Sequence, residues 1–253
     1  MFNTWNLRHN ADFETVIAPG LTWVPINIFG KCHYSKSELK EIMNSLPESA
    51  YKLNNLYEIV AGFQYMDFQE KTTNTLTVYN GMEFEVYESP EQAIEKKYGV
   101  CSGIASWLNY FLKKMFDSAG YIFFMRSTLS GHVINYFIYE GFYYIIDLNV
   151  LLPKYRQDIP IEDGNFSSFC SKKFFSGCLL KTKDLKCFIR FYEAYTAVAN
   201  ASFIFFKIED HTLPPIGKTY TDNQITLYIK RNQPLEILNK KVNTDIFKVQ
   251  YVK

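Results

Sequence analysis

The chain has 253 residues, 27 of them basic and 26 acidic, and its formal net charge is +1. A charge balance this even excludes any prediction of nucleic-acid or anionic-membrane binding from composition. The hydrophobic fraction of 47%, including 17% aromatic residues, can fill one large core, and the 21% of charged residues can cover its surface.

The N-terminal region, residues 1–52, is predicted to be an arm with one short helix. Its first 35 residues are interrupted by proline and glycine and predict an irregular segment that packs through its tryptophans. Ser35–Leu46 then reads as a short helix that ends near Pro47. Asp12 and Glu14 lie where a signal peptide would be apolar, and no apolar run is long enough to span a membrane. We therefore expect a cytoplasmic protein, although export without a leader is left open.

The cysteine count also fits a reducing compartment. The chain has five cysteines, an odd number, which favours free thiols over a disulfide framework. Cys170, Cys178 and Cys187 do not have the spacing of a zinc site and are expected to pack.

A predicted core spans residues 53–160. Leu53–Phe68 has apolar residues at helical spacing, and Thr75–Tyr87 holds Asn80-Gly81 between alternating segments, which predicts a hairpin. A two-residue turn would place Leu76 opposite Glu85, although a bulge or a longer loop is an alternative. Ser89 is predicted to cap a short helix that has Pro90 in its first turn.

Cys101 lies where the next helix is predicted to begin. Apolar residues recur at helical spacing from Ile104 to Phe116, directly after Gly99-Val100-Cys101-Ser102-Gly103. The amides of a helix's first turn have no intrahelical partners, and the dipole is positive there, so a thiolate is favoured over a thiol. Taken alone, such a cysteine is more often a packing residue than a nucleophile.

A hairpin after this helix brings a histidine to a carboxylate. His132–Tyr139 and Phe142–Asn149 are rich in aromatic and β-branched residues, and Glu140-Gly141 between them suits a two-residue turn. In that register Ile134 faces Asp147, so His132 and Asp147 are diagonal neighbours on one face. A nucleophile, a base and an orienting carboxylate are what catalysis by a cysteine requires.

The remaining residues, 161–253, are predicted to be a C-terminal extension. Asp184–Val198 reads as a helix. Four strands are then predicted, at Ala201–Ile208, Gln224–Ile229, Leu235–Leu238 and Ile246–Val252. These strands either extend the core sheet or form a small appended module.

Gly99-Val100-Cys101 followed by Ala105 and an apolar helix, then His132, then Asp147 at the end of an aromatic strand, resembles the transglutaminase-like superfamily of papain-type folds. The resemblance covers about residues 55–150 and implies a Cys101-His132-Asp147 triad. It also implies an α+β fold in which the nucleophile begins a central helix packed on an antiparallel sheet. A tryptophan commonly follows the motif histidine closely in this superfamily, whereas Val133, Ile134 and Asn135 follow it here.

The resemblance implies acyl transfer through a thioester, and hydrolysis of a peptide or amide bond is the first expectation. Animal-type cross-linking members are longer and carry calcium sites that have no counterpart in this sequence. Amine acyltransfer of the transglutaminase or N-acetyltransferase type is the alternative, as are an effector that modifies another organism's protein and an inert binding module. A peptide or protein substrate is expected, and no cofactor or metal is implied. The Cys101 amide is the expected first oxyanion donor, and Gln64 and Tyr87 are open candidates for the second.

Overall fold

The structure is a computed structural model that describes residues 15–25, 69–70, 73–127, 131–148, 178–195, 202–221, 223–230, 235–239 and 246–253. The helices in these ranges are α1 (Pro90–Lys96), α2 (Cys101–Met115) and α3 (Leu185–Tyr195). The strands are β1 (Thr15–Ala18), β2 (Leu21–Pro25), β3 (Gln69–Glu70), β4 (Thr75–Tyr79), β5 (Met82–Val86), β6 (Tyr98–Gly99), β7 (Ala119–Arg126), β8 (Gly131–Tyr139), β9 (Phe142–Ile146), β10 (Cys178–Thr182), β11 (Phe203–Ile208), β12 (Ile216–Thr221), β13 (Gln224–Lys230), β14 (Glu236–Ile237) and β15 (Phe247–Val252). The expected helices at Ser35–Leu46 and Leu53–Phe68 lie outside the described residues.

The larger sheet has eight strands in the order β1-β2-β10-β9-β8-β7-β11-β14, and every pair in it is antiparallel. With the three helices it makes the chain an α+β protein, as predicted. Strands from before, within and after residues 53–160 are neighbours in this sheet. The division of the chain into three segments therefore stays a prediction about sequence organisation.

Residues 15–25 correct one expectation. They form the β1–β2 hairpin at one edge of the large sheet instead of an irregular arm. β2 continues the sheet by pairing with β10, from Cys178 opposite Pro25 to Thr182 opposite Leu21. Pro19-Gly20 suggested an interrupted segment, but this pair forms the turn of a hairpin, with Gly20 at a φ of 74°.

The hairpin that was predicted to carry His132 and Asp147 has the expected register. β8 and β9 pair from Asn135 opposite Ile146 to Tyr139 opposite Phe142. Glu140 and Gly141 have φ values of 50° and 76°, the positive angles that a two-residue turn of this kind needs at both central positions. Asp147 directly follows the last paired residue of β9, so the same register extended by one residue would set it diagonally to His132.

A second sheet has five strands in the order β15-β13-β12-β5-β4. β13 and β15 are parallel, and the other pairs are antiparallel. The β4–β5 turn at Asn80-Gly81 has two residues and no bulge, so Leu76 faces Glu85 and Val78 faces Glu83. The predicted C-terminal strands are divided between the two sheets, because β11 and β14 join the large sheet whereas β13 and β15 join the second, which also contains β4 and β5 from residues 53–160.

Apolar side chains on the two faces of β7 pack against the second sheet and against α3. On one face of β7, Tyr121, Phe123 and Met125 belong to the same buried cluster as Ile225 and Leu227 of the second sheet. On the other face, Phe124 contacts Tyr192 of α3, with ring centroids 4.7 Å apart. β7 is therefore buried on both faces, which explains its almost continuous apolar sequence, AGYIFFMR.

α2 is anchored to the large sheet by a buried amide. Asn135 of β8 is only 2% exposed, and its side-chain nitrogen donates to the Ala105 carbonyl at 2.9 Å. Trp107 and Leu108 on the same helix are completely buried. An unpaired amide at this depth would be costly, so this bond fixes the position of the helix along the strand. Among the described residues, no helix is both long and apolar enough to cross a membrane.

Candidate active site

Cys101 is the first residue of α2. The residue before it, Val100, has an extended backbone and no side chain that can cap the helix. The first turn of α2 contains no acidic residue. The positive end of the helix dipole at Cys101, a half-buried residue, is therefore not neutralised from within the helix.

Two glycines let the chain pass close to this helix start. A Cβ atom on Gly99 would lie 2.9 Å from the Cα atom of Gly103, a distance at which the backbone would have to move. Gly99 ends β6, and Gly103 is in the first turn of α2. The glycines on either side of Cys101 thus permit the close packing that sets where the cysteine lies.

His132 and Asp147 lie in direct contact at the ends of their strands. Nε2 of His132 and Oδ2 of Asp147 are 2.7 Å apart, and their side chains are 17% and 6% exposed. His132 also packs edge-on against Phe124, with ring centroids 5.4 Å apart. These contacts hold the imidazole ring in one orientation and leave Nδ1 as the nitrogen that Asp147 does not engage.

The surroundings of His132 favour its protonated form. Burial opposes the charge on the ring, but the carboxylate of Asp147 outweighs this effect through its charge and its hydrogen bond, and Cys101 acts in the same direction. Together they raise the pKa of His132 to about 10.

Cys101 and His132 line the same cavity, which has a volume of about 210 Å³. Most of its apolar lining comes from the large sheet, namely Phe123, Met125 and Val133. The opposite wall comes from the second sheet and its flanking residues. This wall, called the second-sheet wall below, consists of Asn74, Glu85, Tyr87, Ile216 and Lys218.

Glu85 is the centre of a hydrogen-bond network in the second-sheet wall. Its Oε1 accepts from Lys218 Nζ at 3.0 Å, and its Oε2 accepts from Asn74 Nδ2 at 3.1 Å and from the Tyr87 hydroxyl at 3.2 Å. Asn74 in turn accepts from the Ser102 hydroxyl at 2.9 Å. Through this chain of contacts the wall is tied to the first turn of α2.

Sequence reasoning missed Asn74, Glu85, Ser102 and Lys218 as residues of this site. The only signal was the β4–β5 register, which put Glu85 opposite an apolar residue on a mixed face. Lys218 reaches the cavity through the pairing of Ile216 with Glu85, and nothing local in the sequence indicates that pairing.

Tyr87 and Gln64 are the two predicted candidates for the second oxyanion donor. Tyr87 lines the cavity, but its hydroxyl proton is engaged by Glu85, and burial together with the charge of Glu85 raises its pKa well above the ordinary value. Gln64 lies outside the described residues. The oxyanion role of both residues stays a prediction.

The other described histidine and the other described free cysteine, His211 and Cys187, do not line the cavity. His211 pairs with Glu91 at 2.9 Å on an exposed surface, and Cys187 lies on α3 next to Arg190. Within the described ranges, no group of three or more His, Cys, Asp or Glu side chains is arranged to hold a metal. The side chains of the remaining histidines and cysteines lie outside the described residues, namely those of His9, Cys32, His33, Cys170 and Cys178.

Comparison with known proteins agrees with the fold. No curated protein and no solved structure is significantly similar to the chain. A family described as a transglutaminase-like domain matches residues 17–158, which is more than half of the chain and includes Cys101, His132 and Asp147. The chain therefore belongs to the transglutaminase-like family.

Proposed function

We propose that this protein is a cysteine-dependent acyl-transfer enzyme that hydrolyses a peptide or amide bond through a thioester intermediate. The observation that carries the proposal is the 2.7 Å contact between His132 and Asp147, in a cavity that Cys101 also lines from a helix start. Membership of the transglutaminase-like family supports the use of a cysteine as the nucleophile.

In the proposed reaction, Cys101 is the nucleophile, His132 the acid and base, and Asp147 the group that orients the ring. The raised pKa of His132 favours an imidazolium beside a thiolate. The sulfur attacks the carbonyl carbon, and the carbonyl oxygen becomes an oxyanion near the amide of Cys101. Removing one such donor typically costs about 3 kcal/mol of transition-state stabilisation.

The remaining steps return the site to its starting state. The tetrahedral intermediate expels an amine, which takes a proton from His132, and a thioester to Cys101 remains. His132 then removes a proton from water as the water attacks the thioester, and the carboxylic acid leaves as the sulfur is released. Asp147 stays ionised throughout and stabilises the positive charge on the ring.

The test is the pH dependence of iodoacetamide alkylation at Cys101, located by peptide mass spectrometry and compared with His132→Ala. We expect labelling of the native protein to remain fast well below about pH 8.5, the pH at which an ordinary thiol is half ionised. We expect His132→Ala to slow labelling at neutral pH by on the order of tenfold or more, because the imidazolium that stabilises the thiolate is lost.

Cys187, the other free thiol among the described residues, gives an internal control in the same digest. A Cys101 that is labelled only near pH 8.5, at a rate that His132→Ala does not change, would contradict the proposal.

A further inference from the structure

The second-sheet wall places a lysine and a carboxylate in the cavity that Cys101 lines. Lys218 and Glu85 line the cavity, and their side chains are 33% and 30% exposed. They are the only Lys, Arg, Asp or Glu side chains among the described residues of the cavity lining, and they neutralise each other across 3.0 Å. This wall therefore has both charges and no net charge.

The two charged groups are not equivalent in their remaining hydrogen-bonding capacity. Glu85 already accepts from three donors, namely Lys218, Asn74 and Tyr87. An ammonium group has three donors, and Glu85 is the acceptor found for Lys218 among the described residues. Lys218 can therefore still donate an N–H to a group that enters the cavity. The apolar side chain of Ile216 lines the same wall.

A charged group that enters this cavity loses water and finds no unpaired ion on the second-sheet wall to replace it. Burying an unpaired charge costs far more than burying an uncharged polar group that makes one hydrogen bond. An uncharged group with an acceptor oxygen keeps the Lys218–Glu85 pair intact and accepts from Lys218. The wall should therefore favour uncharged groups over charged groups, even though it contains two ions.

We propose that Lys218 and Glu85 are the specificity-determining pair of the cavity, and that they select acyl donors whose group facing β5 and β12 is uncharged and has a hydrogen-bond acceptor. The proposal rests on the proposed function only in taking Cys101 as the reacting thiol. Each residue neutralises the charge of the other. Without Lys218 the cavity should therefore favour positively charged groups, and without Glu85 it should favour negatively charged groups.

The test uses two alkylating agents that differ in charge but share a leaving group. Iodoacetate carries a negative charge and iodoacetamide is neutral, so the ratio of their rates at Cys101 cancels any change in the reactivity of the sulfur itself. Lys218→Met leaves Glu85 unbalanced and should lower the iodoacetate-to-iodoacetamide ratio about three- to tenfold. Glu85→Gln leaves Lys218 unbalanced and should raise the ratio by a similar factor.

Two further variants make the result specific. The double variant Lys218→Met with Glu85→Gln should return the ratio to near its native value. Lys114→Met changes the net charge as Lys218→Met does, but at the opposite end of α2, about 20 Å along the helix from Cys101. It should leave the ratio unchanged.

A ratio that does not respond to either single variant, or that moves in the same direction in both, would overturn the proposal. This outcome is separate from failure of the proposed function. The ratio can respond as expected even where His132→Ala leaves the pH profile of alkylation unchanged. That combination would support the proposed role of Lys218 and Glu85 and contradict the proposed role of His132 in activating Cys101.

Discussion

At the scale of single residues, the contact between His132 and Asp147 should make the stability of the protein depend on pH. The pKa of His132 in the folded protein, about 10, is higher than the ordinary value of 6.5. Proton binding therefore favours the folded state, and this contribution is complete below pH 6.5 and is lost as the pH rises through about 10.

We predict that the native protein loses its stability advantage over His132→Ala as the pH is raised across this range. Urea unfolding at several pH values between about 6 and 10 would measure the difference in unfolding free energy. His211→Ala, which removes a half-exposed histidine outside the cavity, is the control. A difference between native protein and His132→Ala that stays constant over this range would contradict the assignment of a raised pKa to His132.

The negative charge of Asp147 should stabilise the protonated His132 ring, and this effect can be tested separately from the orientation of the ring. Asp147→Asn keeps a side chain of the same size next to the ring but removes the negative charge. We predict that it slows Cys101 alkylation at neutral pH by on the order of tenfold, because the imidazolium loses its stabilising partner. Alkylation at native speed in this variant, measured by the same peptide mass spectrometry, would show that His132 needs no carboxylate to hold its charge.

At the scale of elements, the junction between β6 and α2 determines where the sulfur lies. Gly99→Ala would force the backbone near Gly103 to move, because the new Cβ atom would be 2.9 Å from a main-chain carbon. We predict a loss of about 1–3 kcal/mol of stability and a changed alkylation rate in the protein that remains folded.

Gly120→Ala provides the matched control for this prediction. The added Cβ atom would overlap the Ile208 carbonyl, a clash of the same kind between β7 and β11, away from the cavity lining. It should destabilise the protein but leave the alkylation rate of folded molecules unchanged. Equal effects of both variants on that rate would mean that the β6–α2 junction has no special role.

The elements also show why some of the fold could be predicted from sequence and some could not. Both hairpins were predictable as hairpins, since Asn80-Gly81 and Glu140-Gly141 adopt the positive φ angles that two-residue turns demand. The register of β8 and β9 followed directly, whereas for β4 and β5 a bulge or a longer loop was left open. β7 was not predicted, because a strand buried on both faces shows no alternation. The start of α2 was predictable because an apolar helical repeat follows directly after glycine.

Part of the candidate site could likewise be predicted from the sequence and part could not. The relation between His132 and Asp147 is local to one hairpin, so counting residues from its turn was sufficient. Glu85 and Lys218 are separated by 133 residues and meet only because β5 and β12 pair. No propensity or periodicity encodes that pairing, and the second wall of the cavity therefore required the structure.

At the scale of the whole molecule, the second sheet shares its core with the large sheet. Phe247 on β15 is 5% exposed and belongs to the buried cluster that contains Phe123 and Phe206. We predict that Phe247→Ala costs about 3–5 kcal/mol, because the cavity it leaves lies between the two sheets. Urea unfolding followed by circular dichroism and by tryptophan fluorescence should give coincident transitions at a lower midpoint.

Tyr251→Ala on the same strand is the control, since this side chain is 50% exposed. It should shift the midpoint only slightly. If the two signals separated in Phe247→Ala, the second sheet would be an independently folding unit and the shared core would carry little of its stability.

The order of the strands along the chain also has a consequence for synthesis. The second sheet combines β4 and β5, which precede the nucleophile, with β12, β13 and β15 from the far end of the chain. A polypeptide emerging from the ribosome exposes Cys101 long before Lys218 exists to complete the second-sheet wall. Such non-local pairing forms late in folding. The nascent chain therefore holds the Cys101 thiol before β12, and with it the wall that we propose to be selective, has been synthesised.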